Sequence, residues 1–365
     1  MRPLTWETLN WATLDRLRET FLAAQPGTGV YWTSLEDVAN YDFTYAQRIG
    51  WKWDAVLNEL KRRGWRPPGG ALLDWGCGSG IASRCALYEF GADAFTGLNV
   101  SDHSGHAVQF AARAAQAAFP HLPVSTGPGE GRVGTLVISH VLNELDEAGG
   151  RALREAIDRA DSILWVEPGT YADSRSLIRM HEALRKDYHV IAPCTHQAAC
   201  GMMIPDNERH WCHHFAEPPV GIMANSDWVR FAQRAGIDLR SLAYSFLALE
   251  RRGIREEVPG LPDAGWARVI GEPRVYKGYA RVLCCDAAGV CELELQKRDA
   301  PDVFKAMKHG KSPQLLRGEH DGKRFSIWEC KPPVPVCSAF VSTATGMSST
   351  SQVPPVKSGL QPASR

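Results

Sequence analysis

The sequence predicts a doubly wound α/β fold, preceded by a helical segment and followed by a cysteine-bearing, β-rich region. Three observations carry that expectation. Strands and helices alternate from residue 68 to residue 190, which argues for a mostly parallel sheet with helices on both faces. Within that stretch, "ALLDWGCGSG" runs a short apolar strand into a glycine turn. Beyond about 190 the texture changes to a cysteine-rich loop and long strand-like runs. The expected organisation is 1–67 helical, 68–190 α/β, 191–337 cysteine loop and hairpin, and 338–365 disordered.

Each element has its own signal. "LTWETLNWATLDRLRETFLAA" and "YAQRIGWKWDAVLNELKRRGW" space their apolar residues at helical intervals. After the glycine turn, "IASRCALYEFG" continues as a helix ended by Gly91. "AFTGLNV", "GTLVISHVL" and "SILWVEPG" read as strands, and "SGHAVQFAARAAQAAF", "DEAGGRALREAIDRA" and "SRSLIRMHEALRKDY" as the helices between and after them. In the last region "SDWVRFAQRAG" reads as a helix and "SLAYSFLALER" as a strand. "RVYKGYARVLCCDAAGVCELELQKR" reads as a hairpin folded at "DAAG". From 338 onward Ser, Thr and Pro dominate, with too little apolar surface to offset the entropy of ordering.

Composition narrows the function classes. A chain of 365 residues can hold two domains and a sizeable core. Its 41 basic and 41 acidic residues cancel, so no global field attracts DNA, RNA or an anionic membrane, and such a partner needs a local patch. No apolar run approaches the roughly 20 residues of a spanning helix. The first 24 residues lack a secretory core, and Glu7, Asp15 and Glu19 argue against an acid-poor transit peptide. The expectation is a soluble protein of a reducing compartment, bacterial cytoplasm rather than mitochondrial matrix. There, ten cysteines serve as core residues, redox centres or metal ligands rather than disulfides.

The glycine turn holds Asp74, Gly76, Gly78 and Gly80. Glycines let the backbone turn sharply and approach a ligand without Cβ interference. The spacing is G-x-G-x-G after an acid, not the dinucleotide G-x-G-x-x-G, and no Gly-Lys-Ser/Thr follows. An acid before the turn suits a ligand with a positive end. This pattern resembles the first motif of class I S-adenosylmethionine-dependent methyltransferases; a generic tight turn is the alternative. About 20 residues on, such folds hold the ribose hydroxyls with an acid. Asn99 stands there, with Asp102 able to substitute from the next turn. Later strand ends offer Ser139, His140, Asn143, Glu144 and Glu167. His140 is the one neutral-pH base among them and the candidate catalytic group, with packing or cofactor contact as its bland alternative. Asn-Pro-Pro-Tyr, the signature of many nucleobase amino methylases, is absent.

The cysteines of "APCTHQAACGMMIPDNERHWCHHFAEPP" form the second constellation. Five residues separate Cys194 from Cys200 and eleven separate Cys200 from Cys212, unlike the C-x-x-C of zinc ribbons. A fourth ligand has to come from elsewhere, and Cys284 and Cys285 lie before the hairpin turn with Cys291 across it. Three thiols and a distant fourth suit an iron–sulfur cluster. His196, His210, His213 or His214 could complete a zinc site instead. Buried thiols with no metal are the remaining alternative.

"LLDWGCGSG", "SHVLNEL", "WVEPGT", "APCTH", "HWCHHF" and "RVIGEPRVYKGYARVLCCDAAG" occur in that order. Together they resemble the methyltransferase-like mitochondrial small-ribosomal-subunit protein family, which has bacterial relatives, over roughly residues 35 to 310. The resemblance implies a class I methyltransferase fold with a four-cysteine [4Fe–4S] site, and a role in small-subunit assembly with uncertain methylating activity. It implies Cys194, Cys200 and Cys212 as ligands. It places the fourth four residues before Gly289, at Cys285, with Cys284 as neighbour. The doubled histidine after "HWC", the segment after 310 and Asn99 depart from the family pattern. The implied partners are small-subunit rRNA and ribosomal proteins. "KRRGWR" (61–66) offers a phosphate-and-stacking patch of Lys61, Arg62, Arg63 and Arg66 around Trp65. Segment 297–331 adds nine Lys or Arg against five Asp or Glu. Two further readings are a non-catalytic RNA-binding assembly factor and a small-molecule methyltransferase with a structural zinc.

Overall fold

The computed structural model describes residues 4–23, 32–261 and 264–331. The expected disordered segment 338–365 lies outside them. Three helices lead: α1 (Trp11–Ala23), α2 (Leu35–Phe43) and α3 (Tyr45–Arg62). Next come β1 (Ala71–Trp75), α4 (Ile81–Phe90), β2 (Gly97–Ser101), α5 (Gly105–Ala118), β3 (Val124–Thr126), β4 (Val133–Ser139) and α6 (Glu147–Arg159). They are followed by β5 (Ala160–Pro168), α7 (Tyr171–Leu184), β6 (Tyr188–Ala192), β7 (His214–Ala216), α8 (Ser226–Ala235) and β8 (Leu242–Arg251). The chain continues through β9 (Trp266–Val275), β10 (Tyr279–Asp286), β11 (Gly289–Gln296), α9 (Pro301–Lys308), β12 (Leu315–His320) and β13 (Phe325–Lys331).

The first sheet has the order β3-β2-β1-β4-β5-β8-β6, with short β7 beside β8. Strands β1 to β5 pair in parallel, whereas β8 is antiparallel to β5 and β6. This is the doubly wound sheet of the class I methyltransferase fold. Its central strands read as apolar runs because helices cover both faces: six of the seven residues of β4 are buried. Side-chain caps mark the helix starts, with Ser34, Ser104, Asp146, Thr170 and Asn225 accepting from backbone amides of α2, α5, α6, α7 and α8.

Two expectations change. The α/β unit does not end at 190, because β8 inserts between β5 and β6 and carries the sheet to Arg251. The N-terminal helices are also part of that unit. Trp51, Trp53, Val56, Leu57 and Leu60 of α3 share one core with Leu72, Val100, Val137, Val166 and Phe246 of the sheet. The second sheet, β11-β10-β9-β12-β13, is antiparallel throughout. It packs Phe304 and Met307 of α9 against Val269, Val282, Leu293 and Leu316. The hairpin at "DAAG" is as expected, with Asp286 paired to Gly289.

Candidate active site and thiol cluster

Strand order reverses between β1 and β4, and open α/β sheets bind ligands in the crevice at such a point. A cavity of about 1350 Å³ lies there. Its sheet-side wall includes Gly76, Gly78, Asp102, Ser139, His140, Asn143 and Glu144, all singled out in the sequence. Gly78 has φ +50, and a Cβ there would meet nothing within 4 Å, so the backbone is bare toward open space. Gly80 (φ +76) serves packing instead, since a Cβ would stand 2.9 Å from Ala111 Cβ of α5. Asp102 braces the turn: its Oδ2 accepts from Gly78 N at 2.9 Å and its Oδ1 from Ser104 N at 2.8 Å.

Asp74, Gly80 and Asn99 are not on that wall. Asp74 is fully buried beneath the turn, where one carboxylate oxygen accepts from Ser83 Oγ. Burial raises its pKa to about 7. Asn99 lies behind Gly129, whose Cβ, if present, would stand 2.6 Å from Asn99 Nδ2. The register explains this: Trp75 pairs with Ser101, so β2 runs two residues past Asn99 before Asp102 and His103 reach the cavity.

The opposite wall comes from the helical segment, with Tyr41, Tyr45, Arg48 and Lys52. Lys52 Nζ lies 3.3 Å from His140 Nε2, and His140 Nδ1 lies 3.2 Å from Ser139 Oγ. Trp53 Nε1 donates to the same Ser139 Oγ at 3.0 Å. Ammonium and indole are donors only, so the neutral His140 ring accepts from Lys52 and presents Nδ1–H to Ser139. Burial, then Arg48, lowers the Lys52 pKa to about 7 against the pull of Glu167 and Asp173. Burial, Lys52 and Arg48 hold His140 well below the usual histidine range. His140 also has φ +57, a strained backbone for a residue with a side chain. Glu167 sits behind β4, its Oε1 accepting from Val141 N, Leu142 N and Trp165 Nε1.

The second constellation sits between the two sheets. Cys200, Cys212 and Cys285 share an apolar cluster with Ile178, Met202 and Ile270. Cys194 joins them electrostatically. Burial comes first among the causes raising the Cys285 pKa, followed by the thiolates of Cys194, Cys212 and Cys200. Cys212 is likewise raised by burial, then by Cys194 and Cys200, and Cys194 is pushed up to about 12. The β10 pleat separates the paired candidates: Cys285 faces this cluster, while Cys284 faces the core of the second sheet. Among the described residues, no three His, Cys, Asp or Glu side chains are gathered closely enough to hold a metal ion.

A buried ion network clamps the loop. Arg268 of β9 binds Glu59 of α3 through both carboxylate oxygens, and Arg63 donates to Glu59 at 3.0 Å. Both guanidiniums then reach the loop backbone: Arg63 Nη1 donates to Ile191 O (2.7 Å) and Cys194 O (3.2 Å), and Arg268 Nε to Pro193 O (2.9 Å). Glu182 of α7 accepts from Cys200 N at 2.8 Å. Of the four loop histidines, His196 and His214 face thiols, whereas His213 stacks on Trp211 and His210 contacts Arg209. His181 of α7 also faces a thiol, 3.7 Å from Cys194 Sγ, without a sequence signal.

The expected patch at "KRRGWR" does not form. Trp65 is completely buried with Nε1 donating to Glu250 at 2.8 Å, and Arg63 belongs to the clamp. In 297–331 Lys297, Arg298, Lys305, Lys308, Lys311 and Lys323 are exposed, as are the acids Asp299, Asp302, Glu319, Asp321 and Glu329.

The family model described as mitochondrial small ribosomal subunit Rsm22 matches residues 56–312. No curated protein matches the chain. Among solved structures it resembles magnesium protoporphyrin IX methyltransferase from Synechocystis with bound S-adenosylmethionine (15% identity, 69% of this chain and 99% of that chain, TM-score 0.36). It also resembles a putative RNA methyltransferase from Pyrococcus horikoshii (13%, 50% and 72%, TM-score 0.30). A third is an N-methyltransferase from Bradyrhizobium japonicum with S-adenosyl-L-homocysteine (11%, 55% and 85%, TM-score 0.33).

Proposed function

This chain belongs to the mitochondrial small ribosomal subunit Rsm22 family, and from that premise we propose that it is a small-subunit-associated, methyltransferase-like protein. It binds S-adenosylmethionine in the cavity between β1 and β4 and a [4Fe–4S] cluster on Cys194, Cys200, Cys212 and Cys285. It acts in rRNA methylation or in small-subunit assembly. The observation that carries the cofactor reading is the bare glycine turn opening on a 1350 Å³ cavity at the topological switch point. The wall fits that group: the Gly76–Gly78 backbone would take its amino-acid end, and Asp102 and His103 would stand at the ribose. Asp74 and Asn99 would support from behind. When bound, the cofactor supplies a methyl group on a sulfonium. Lys52, with His140 and Ser139, would take up the acceptor's proton.

The cluster reading rests on the donor set. Desolvation raises all four thiols, and neighbouring thiolates raise Cys194, Cys212 and Cys285 further, so a bound cation would be the group that ionises them. The guanidiniums of Arg63 and Arg268 lie where they offset thiolate charge. The exposed basic face of 297–331 is the proposed rRNA contact. The proposed setting is bacterial cytoplasm; the family description names the mitochondrion, and small-subunit association applies in either compartment.

The second reading, an assembly factor without chemistry, is favoured by Asp102, whose two oxygens are both engaged by backbone amides of the turn. Calorimetry with S-adenosylmethionine separates the two. Micromolar binding that Gly78→Val abolishes supports the first, and no binding supports the second. Anaerobic purification with iron, sulfide and zinc analysis tests the cluster. About four irons per chain are expected; one zinc and no iron would instead favour a structural zinc protein.

A further inference from the structure

We propose that the helical wall of the cavity is a subsite for single-stranded nucleic acid, with Arg48 on a phosphate beside the reacting unit and Tyr41 and Tyr45 against the neighbouring base. The inference rests on reading the cavity as a methyl-transfer site and deepens it by naming the class of acceptor. Pockets for a single small ligand run to about 300–1000 Å³. This cavity holds about 1350 Å³, which leaves room beside a cofactor. Tyr41, Tyr45, Arg48 and Lys52 all line it, at spacings of four, three and four residues across the junction of α2 and α3. Such spacing sets side chains in one row on a helical face. From Tyr45 to Lys52 the row runs about 10 Å.

The chemistry changes along that row. The rings of Tyr41 and Tyr45 have centroids 6.0 Å apart and are inclined by 29°. Crossed rings fix them: Trp32 is 4.8 Å from Tyr41 at 72°, and Phe231 is 5.0 Å from Tyr45 at 71°. Aromatic rings so held make a platform on which a base of any identity stacks. Arg48 comes next. Its Nη2 makes long contacts to Asp238 O (3.3 Å) and Ser241 O (3.4 Å), and its buried Nε has no hydrogen-bond partner among the described residues. Asp238, whose charge it feels, is engaged by Arg240 at 2.9 Å. None of the acids that line the cavity belongs to α2 or α3; they follow β2 and β4 or lie on α6. A guanidinium with unmatched donors in a cavity wall suits an anion, and its planar fork matches phosphate. Lys52, against His140, ends the row at the reacting side. Base, phosphate and base are the repeat of a splayed single strand, the form in which enzymes reach a base. Lys52, Arg48 and the two tyrosines offer contacts in that order. A free aromatic acid would use Arg48 and leave part of the row empty.

The test titrates the full-length protein calorimetrically with the ribodinucleotides CpC and GpG and with their uncharged methylphosphonate analogues, with and without S-adenosyl-L-homocysteine. Neither probe contains adenine, so neither mimics the cofactor. The phosphodiesters should bind roughly 10- to 100-fold more tightly than the analogues and should not be displaced by S-adenosyl-L-homocysteine. Arg48→Met should erase that preference, and Tyr45→Leu should weaken ester and analogue alike by roughly tenfold. Absence of binding, equal affinity for ester and analogue, or displacement by S-adenosyl-L-homocysteine overturns the subsite. So does a preference that survives in folded Arg48→Met, or undiminished binding by folded Tyr45→Leu. Tighter, Arg48-dependent binding of 4-hydroxybenzoate would give the wall to a small aromatic acid and overturn it too. Should either variant fail to fold, the wild-type preference for the ester decides. If S-adenosyl-L-homocysteine itself does not bind while the dinucleotides behave as expected, the cofactor reading falls and the subsite stands, as part of an assembly factor.

Discussion

Lys52 is the residue whose chemistry the sequence concealed most. In "GWKWDAVLNEL" it reads as an ordinary helix lysine, and only the fold lays it against His140, 88 positions along the chain. His140 itself was legible, because strand ends at a switch point face the crevice whatever the helices do. Trp65 erred the other way. Basic neighbours make it look like a surface stacking residue, and its partner Glu250 lies 185 residues away. Burial holds Lys52 at about 7, so its amine is neutral above that pH and charged below it. If it takes the acceptor's proton, the methyl-transfer rate rises as pH increases through about 7. Lys52→Met should lower the rate by roughly 10²-fold and abolish that rise. A pH–rate profile unchanged in Lys52→Met would remove Lys52 from the mechanism.

Helix α3 is the element on which both sites converge. One part of it supplies Lys52 to the cavity, and two turns later Glu59 and Arg63 hold the cysteine loop with Arg268 of β9. The helix was readable from its periodicity, but an i,i+4 Glu–Arg pair on a helix reads as solvated surface until a third charge from β9 buries it. The same holds for β8: its apolar run predicts a strand, while insertion between β5 and β6 is decided by tertiary pairing. Burial raises the Glu59 pKa, but Arg268 and Arg63 outweigh it and hold the carboxyl at about 2. Its ordinary value is 4.5, so the unfolded chain takes up the proton first as pH falls. The stabilisation is complete above about 4.5 and lost as pH falls toward 2. Glu59→Gln should cost about 3–5 kcal/mol near neutral pH, by leaving two buried guanidiniums uncompensated. Urea unfolding at a series of pH values should show wild type and variant converging between 4.5 and 2. A constant gap would place the Glu59 contribution in packing rather than charge.

At the scale of the molecule, the two sheets meet at the thiols. Cys194, Cys200 and Cys212 leave the end of the first sheet, Cys285 belongs to the second, and Gly201 presses the loop so closely on β11 that a Cβ would stand 2.9 Å from Val290 N. The order of sequence motifs pointed to this junction, and the pleat of β10 turns Cys285 toward it and Cys284 into the core of the second sheet. The depth of the α/β unit was not legible, since nothing local in a strand states which sheet it will join. A metal held across the junction makes coordination free energy into docking free energy for the second sheet, whereas the first sheet keeps its own core. If the proposed cluster is held there, Cys285→Ser, or chelation of its iron, should accelerate amide hydrogen exchange in 193–213 and across β9 to β11. Strands β1, β4 and β5 should keep their wild-type protection, because their partners lie within the first sheet. Acceleration throughout the chain would mean that the cluster stabilises the whole fold. No change in either region would mean that the apolar contacts around Ile178, Met202 and Ile270 hold the junction unaided.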